Sequence, residues 1–175
     1  GFGGSSYGLA YILGSTEQDF ASGTAQGYAL IAGESGTDYL RLVSFNGQIS
    51  NWSNVINSNV DFTQNKMLSV KVTYNPSTDV WSLLLRDDGS SFADPTTITG
   101  TPATATNSAY TNLNLQYAGA FWKHNSSCED MFKIDNMFIP SPTQSPEIKV
   151  EYTTNNPVNV ADGGSYNFGP VKVTG

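Results

Sequence analysis

The stretch 67–89, MLSVKVTYNPSTDVWSLLLRDDG, constrains the fold more than any other part of the chain. Leu68, Val70, Val72 and Tyr74 alternate with Met67, Ser69, Lys71 and Thr73. A period of two gives a strand one apolar face and one mostly polar face. After Asn75-Pro76-Ser77-Thr78-Asp79 the rhythm returns, with Trp81, Leu83 and Leu85 set against Ser82, Leu84 and Arg86. Pro76 presets φ for a turn, and Asn75 and Asp79 can cap the backbone groups freed there. The stretch is predicted to be a β-hairpin with a heavy apolar load, and Trp81 is assigned to the core beside Leu83 and Leu85. Asp87-Asp88-Gly89 supplies a second turn signal at its end.

The same logic extends along the chain. Segments 7–13 (YGLAYIL), 28–32 (YALIA) and 39–45 (YLRLVSF) read as strands. In the last, Leu40, Leu42 and Ser44 share one face, and Tyr39, Arg41, Val43 and Phe45 the other. Asn46-Gly47 tolerates positive φ at both turn positions and is the strongest short hairpin signal present. It predicts a return strand through Ile49. The apolar residues of 50–65 fit neither period well, and 90–109 reads as a long Thr-, Ala- and Pro-rich surface loop. Segments 112–124 (NLNLQYAGAFWKH) and 131–139 (MFKIDNMFI) are predicted strands. Three prolines in 140–146 make a linker, because proline cannot sit inside a sheet. Beyond it, 147–152 (EIKVEY) alternates again, with short strand candidates at 158–160 and 171–173. No helical pattern of three turns and no internal repeat is present.

Composition narrows the function classes. Charged residues make up only 13% of the 175, while Ser, Thr, Asn, Gly and Tyr abound, a profile typical of extracellular β proteins. A net charge of −7 argues against nucleic acid and against anionic membrane surfaces, which require basic patches. Cys128 is alone, so no intrachain disulfide is available, and a secreted protein of this kind leans bacterial. No apolar run approaches the roughly 18 residues that span a bilayer, so membrane insertion is not expected. The opening Gly-Phe-Gly-Gly reads as the interior of something longer.

Several segments in order resemble one family. The string LSVKVTYNPSTDVWSLLLRDDG resembles the hairpin of concanavalin A-like (laminin-G-like) jelly-roll domains. The run LNLQYAGAFWKHNSSCEDMFKIDNMFI is similar to the closing strands of the version found in multidomain secreted proteins of Bacteroidetes-type bacteria. YGLAYIL and GYALIAGESGTDYLRLVSFNG match its early strands, and the resemblance covers about 7–140. SPEIKVEYTTNNPVNVADGGSYNFGPVKVTG resembles the opening of an immunoglobulin-like choice-of-anchor domain. The family's strands before YGLAYIL have no counterpart in the first six residues, so the resemblance implies a piece of a larger surface protein.

The same fold hosts glycoside hydrolases, whose nucleophile and acid/base lie at period two on one strand. No E-x-D-x-x-E or E-x-D-x-E string occurs here; Glu17 and Asp19 share the first spacing but sit in a polar loop. His124, the only histidine, has no G-x-S-x-G companion. His124, Cys128, Glu129 and Asp130 lie close in sequence but offer too few soft ligands for structural zinc. A hard cation such as calcium needs six to eight oxygens, and Asp87, Asp88 and Asp135 are the candidate ligands. Sugar stacking needs exposed aromatics, and Trp122, Trp52, Tyr39 and Tyr110 are the candidates. Trp122 falls opposite Leu115, Tyr117 and Phe121, so it either faces the other layer or is exposed; a sandwich with one buried face per sheet would leave it outside.

The sequence thus predicts an all-β protein: an antiparallel jelly-roll β-sandwich over 1–140, a linker at 141–146 and a β extension or immunoglobulin-like start at 147–175. The expected role is a non-catalytic carbohydrate-binding or adhesion module of a secreted or cell-surface bacterial protein. Its partners would be a glycan or other surface ligand and neighbouring domains of its parent. The alternative is a structural spacer beside a catalytic domain carried elsewhere, with glycoside hydrolysis a third choice.

Overall fold

The computed structural model describes residues 8–33, 37–61, 67–124, 126, 133–135 and 137–139. They contain β1 (Gly8–Ser15), β2 (Ala25–Ala32), β3 (Tyr39–Asp61), β4 (Met67–Asn75), β5 (Val80–Gly89), β6 (Ala103–Thr106) and β7 (Tyr117–Lys123). A single 3-10 turn, Pro95–Thr97, is the one helical element among the described residues. Four strands form a sheet in the order β3-β2-β1-β7, and three form a second in the order β4-β5-β6. Every pairing is antiparallel, and the two sheets pack together as a β-sandwich. The chain divides into compact units Gly1–Phe138 and Ile139–Gly175, and all seven strands belong to the first. The Pro-rich linker and the predicted β extension lie outside the described residues.

The hairpin forms where the alternation predicts it, with β4 and β5 paired from Asn75↔Val80 to Leu68↔Asp87. Asn75 caps the turn: its Oδ1 accepts the Ser77 N–H at 2.9 Å. Asp79 closes the turn in the left-handed region, at φ 53°. Three hydrogen bonds hold it there. Its carboxylate accepts from the Tyr74 hydroxyl at 2.6 Å and from Thr111 at 3.1 Å, and its carbonyl accepts the Asn107 N–H at 2.9 Å.

Between the sheets, Tyr28 and Leu42 meet Trp81 and Leu83. Trp81 lies between two tyrosine rings, with Tyr28 at 4.4 Å and Tyr74 at 4.6 Å centroid to centroid. The polar atoms of Trp81 and Tyr28 are paired, as most buried donors are. Trp81 Nε1 donates to the Asn107 carbonyl at 3.0 Å. The Tyr28 hydroxyl donates to Asn107 Oδ1 at 2.8 Å and accepts the Tyr110 N–H at 3.2 Å.

The four-stranded sheet is packed on its other face too. Ala10, Ile12, Ala29, Ile31 and Val43 are fully buried there, with Phe20, Trp52 and Phe121 against them. Close approach of β1 and β2 depends on glycine. β1 bulges between Ile12 and Gly14, and a Cβ on Gly27 would stand 2.0 Å from the Gly14 carbonyl oxygen.

Several sequence expectations are corrected. Asn46-Gly47 does not turn the chain back: β3 runs on through it, with Gly47 at φ 85° opposite Ala25. The loop before β2 takes up the backbone that a return strand would have used, because the Ile49 N–H donates to the Phe20 carbonyl at 2.9 Å. The aperiodic stretch after Ile49 therefore belongs to β3. The long loop contains β6, four residues of Ala and Thr with no apolar signature. The strand predicted over 112–124 begins only at Tyr117. Residues 133–135 and 137–139 of the predicted strand 131–139 are not in a strand; 131, 132 and 136 lie outside the described residues.

Candidate functional site

Pairing of Leu9 with Trp122 and of Ala10 with Phe121 fixes each side chain's face. Trp122 turns into the layer between the sheets, against Leu9, Ala32 and Leu40, while Phe121 lies on the far face. The expectation that Trp122 lies outside assumed one buried face per sheet, and this sheet has two.

The four aromatics proposed for stacking do not share a surface. Trp122 packs beside Leu9, and Trp52 covers the far face of the four-stranded sheet. Tyr110 lies in the Tyr28–Trp81 cluster, its ring 6.0 Å from that of Tyr28. Tyr39 stands at the start of β3 with the Arg41 guanidinium 5.4 Å over its ring. His124 is exposed, its ring 6.2 Å from that of Trp122.

The carboxylates proposed for calcium do not form one group of three among the described residues. The Asp88 side chain is only 2% exposed, and its two oxygens accept from Arg86 Nε and from the Ser69 hydroxyl. The same guanidinium reaches Thr97 Oγ1 at 2.8 Å, the Asp94 carbonyl at 3.0 Å and Ser69 Oγ at 3.1 Å. Arg86, helped by Ser69, holds the Asp88 carboxyl below the usual range, which favours the ionised form. Those oxygens thus serve as hydrogen-bond acceptors in a lock between β5 and the following loop. Asp87 is exposed and accepts the Gly89 N–H at 2.9 Å, closing the predicted turn. Asp94 caps the 3-10 turn, accepting from the Thr96 N–H and hydroxyl, which lower its carboxyl as well. In the loop before β2, Asp19 accepts the Ala21 N–H at 2.9 Å. Among the described residues, no three His, Cys, Asp or Glu side chains come together as a metal group would require.

Asp135 has a different setting. It lines a shallow open cleft of about 300 Å³ with Tyr11, Gly119, Ala120, Ile134 and Met137. Tyr11 pairs with Ala120 across β1 and β7, so a phenol ring, two residues with little or no side chain and a carboxylate border one depression. Ile134 and Met137 give it an apolar rim, at 41% and 62% exposure. Such mixtures of aromatic, apolar and a few polar groups are what small-ligand sites are built from. The sequence marks Asp135 as a candidate cation ligand but does not mark Tyr11, because an aromatic inside an apolar run reads as core.

No family model, no curated protein and no solved structure matches this chain. No helix among the described residues is long and apolar enough to cross a membrane.

Proposed function

We propose that this chain is a non-catalytic binding or adhesion module of a secreted or cell-surface bacterial protein, built on a jelly roll of the concanavalin A-like type. The cleft at the β1–β7 edge would take its ligand, and a carbohydrate is the class it suits. The cleft is the observation that carries the reading: Tyr11 offers a ring for stacking on a sugar face, Asp135 an acceptor for hydroxyls, and Gly119 and Ala120 leave room at the backbone. The motif order over 7–140 supports the fold family, and the acidic, sparsely charged composition supports the location.

Affinity electrophoresis and a glycan array test this directly. Retention on at least one neutral polysaccharide is expected, and Tyr11→Ala should weaken it by up to about tenfold, as loss of a stacked ring does. Absence of retention on every glycan tested overturns the carbohydrate reading. The second reading, a spacer that presents neighbouring domains, is favoured by the packing of Trp122 and Trp52, both partly buried, against apolar clusters. It predicts that Tyr11→Ala changes nothing but local stability.

A further inference from the structure

We propose that Asn46 is a latent deamidation site, held in check by the side chain of Gln26. Asn followed by Gly is the dipeptide in which ring closure meets the least steric hindrance, because glycine has no side chain to obstruct it. The deprotonated Gly47 backbone nitrogen attacks Asn46 Cγ, the bond from Cγ to Nδ2 breaks, and ammonia leaves. Water then opens the resulting succinimide at either carbonyl, giving aspartate or isoaspartate. The reaction needs no cofactor, only water and freedom of the Asn46 side chain to swing over the next peptide nitrogen.

Asn46 lies exposed in the middle of β3, so water reaches it. Its conformational freedom is restricted at two points. Asn46 pairs directly with Gln26 across the sheet, and Gln26 Nε2 donates to Asn46 Oδ1 at 2.9 Å, holding the carboxamide out toward β2. The Asn46 carbonyl accepts from Asn51 Nδ2 at 2.8 Å, which fixes the peptide that would have to rotate. Both restraints are surface hydrogen bonds, each modest by itself. The structure thus places a reactive dipeptide in a strand and fastens it with side chains that single substitutions remove.

Conversion would matter to the fold. Isoaspartate inserts an extra main-chain methylene at the Gln26↔Asn46 step, so the register of β2 with β3 cannot stay as it is on both sides of it. It also adds a negative charge to a chain already at −7.

The full chain, incubated at mildly alkaline pH and followed by peptide mass mapping, tests the proposal against the same chain unfolded in urea. Native Asn46 is expected to convert more slowly than unfolded Asn46. Gln26→Ala should raise the native rate about fivefold, the factor one hydrogen bond supplies. Gln26→Lys, which keeps a donor, should stay near the wild-type rate. Equal rates in native wild type and Gln26→Ala overturn the proposal, as does native conversion as fast as unfolded. If circular dichroism finds Gln26→Ala unfolded, the native-to-unfolded ratio in the wild type carries the test, and a ratio of one sinks it.

Discussion

The two sheets of this sandwich solve burial differently. In the four-stranded sheet, Tyr28 and Leu42 are fully buried toward the partner sheet, and Ile12, Ile31 and Val43 are fully buried on the opposite face. In the three-stranded sheet, Trp81 and Leu83 point inward, while along the middle of β4 Lys71 and Thr73 are exposed on the other side. A strand with one wet face must alternate apolar and polar side chains. A strand with two dry faces has no such obligation, and its sequence collapses into a run such as LAYIL or YALIA.

The largest expected effects test that contrast. Trp81→Ala removes the ring on which Tyr28 and Tyr74 pack and should cost about 3–5 kcal/mol. Ile31→Ala on the far face of the four-stranded sheet should cost about 2–5 kcal/mol, like any truncated core residue. Thr73→Ala, on the wet face of the other sheet, should stay within about 0.5 kcal/mol. Urea denaturation of the three variants measures all of this. If Ile31→Ala behaves like Thr73→Ala, the far face is not a second core and the comparison fails.

The contrast also explains what was legible in the sequence. The hairpin of β4 and β5 could be read almost residue by residue, because Lys71, Thr73 and Ser82 mark the wet face. The strands β1 and β2 were legible as strands, but their sides were not. The side of Trp122 is open in the sequence for that reason: nothing in YAGAFWK decides between the other layer and the outside, and pairing with Leu9 does. Asn46-Gly47 misled because the loop at Phe20, distant in sequence, captures the backbone of Ile49. β6 was invisible because Ala103–Thr106 pairs with β5 through its backbone and buries almost nothing. The cleft was half legible. Asp135 is legible as a candidate ligand carboxylate, whereas Tyr11 becomes a site residue only when β7 brings Ala120 beside it.

Gly27→Ala probes how tightly the doubly buried sheet is drawn together. The added Cβ meets main-chain oxygen, not a flexible side chain, so β1 and β2 must separate. A loss of about 1–3 kcal/mol is expected, as for other overpacked sites. In the singly buried sheet, the comparable restraint is electrostatic. Arg86→Leu leaves the Asp88 carboxylate to the Ser69 hydroxyl and the Ala93 backbone, with no charged partner, and should cost about 2 kcal/mol. Asp88 is held below the usual carboxyl range, so its contribution is present at neutral pH and disappears as pH falls through the folded value. The stability gap between wild type and Asp88→Asn should therefore be open at pH 7 and narrow well below about pH 4. A gap that does not change with pH would mean that the Asp88 charge contributes nothing.

The smallest effect is expected at the seam where the dry layer meets water. Tyr74 is half-buried beside Trp81, and its hydroxyl donates to the Asp79 carboxylate, which raises its phenol above the usual tyrosine range. Tyr28, deeper in the same cluster, is raised chiefly by burial. Each phenol is more readily ionised in the unfolded chain than in the folded one. Their contributions are thus complete below about pH 10 and fall away as pH rises through the folded values. Tyr74→Phe deletes one of the two hydroxyls that hold Asp79 at its left-handed turn, leaving Thr111 as the other. The variant should melt slightly below the wild type at pH 7, and the difference should shrink from about pH 10 upward, as the phenol ionises first in the unfolded chain and then in the folded one. Thermal melts from pH 7 to 11 read this out; a difference that stays constant would show that the Tyr74 proton is not what couples the hairpin tip to the loop at Thr111.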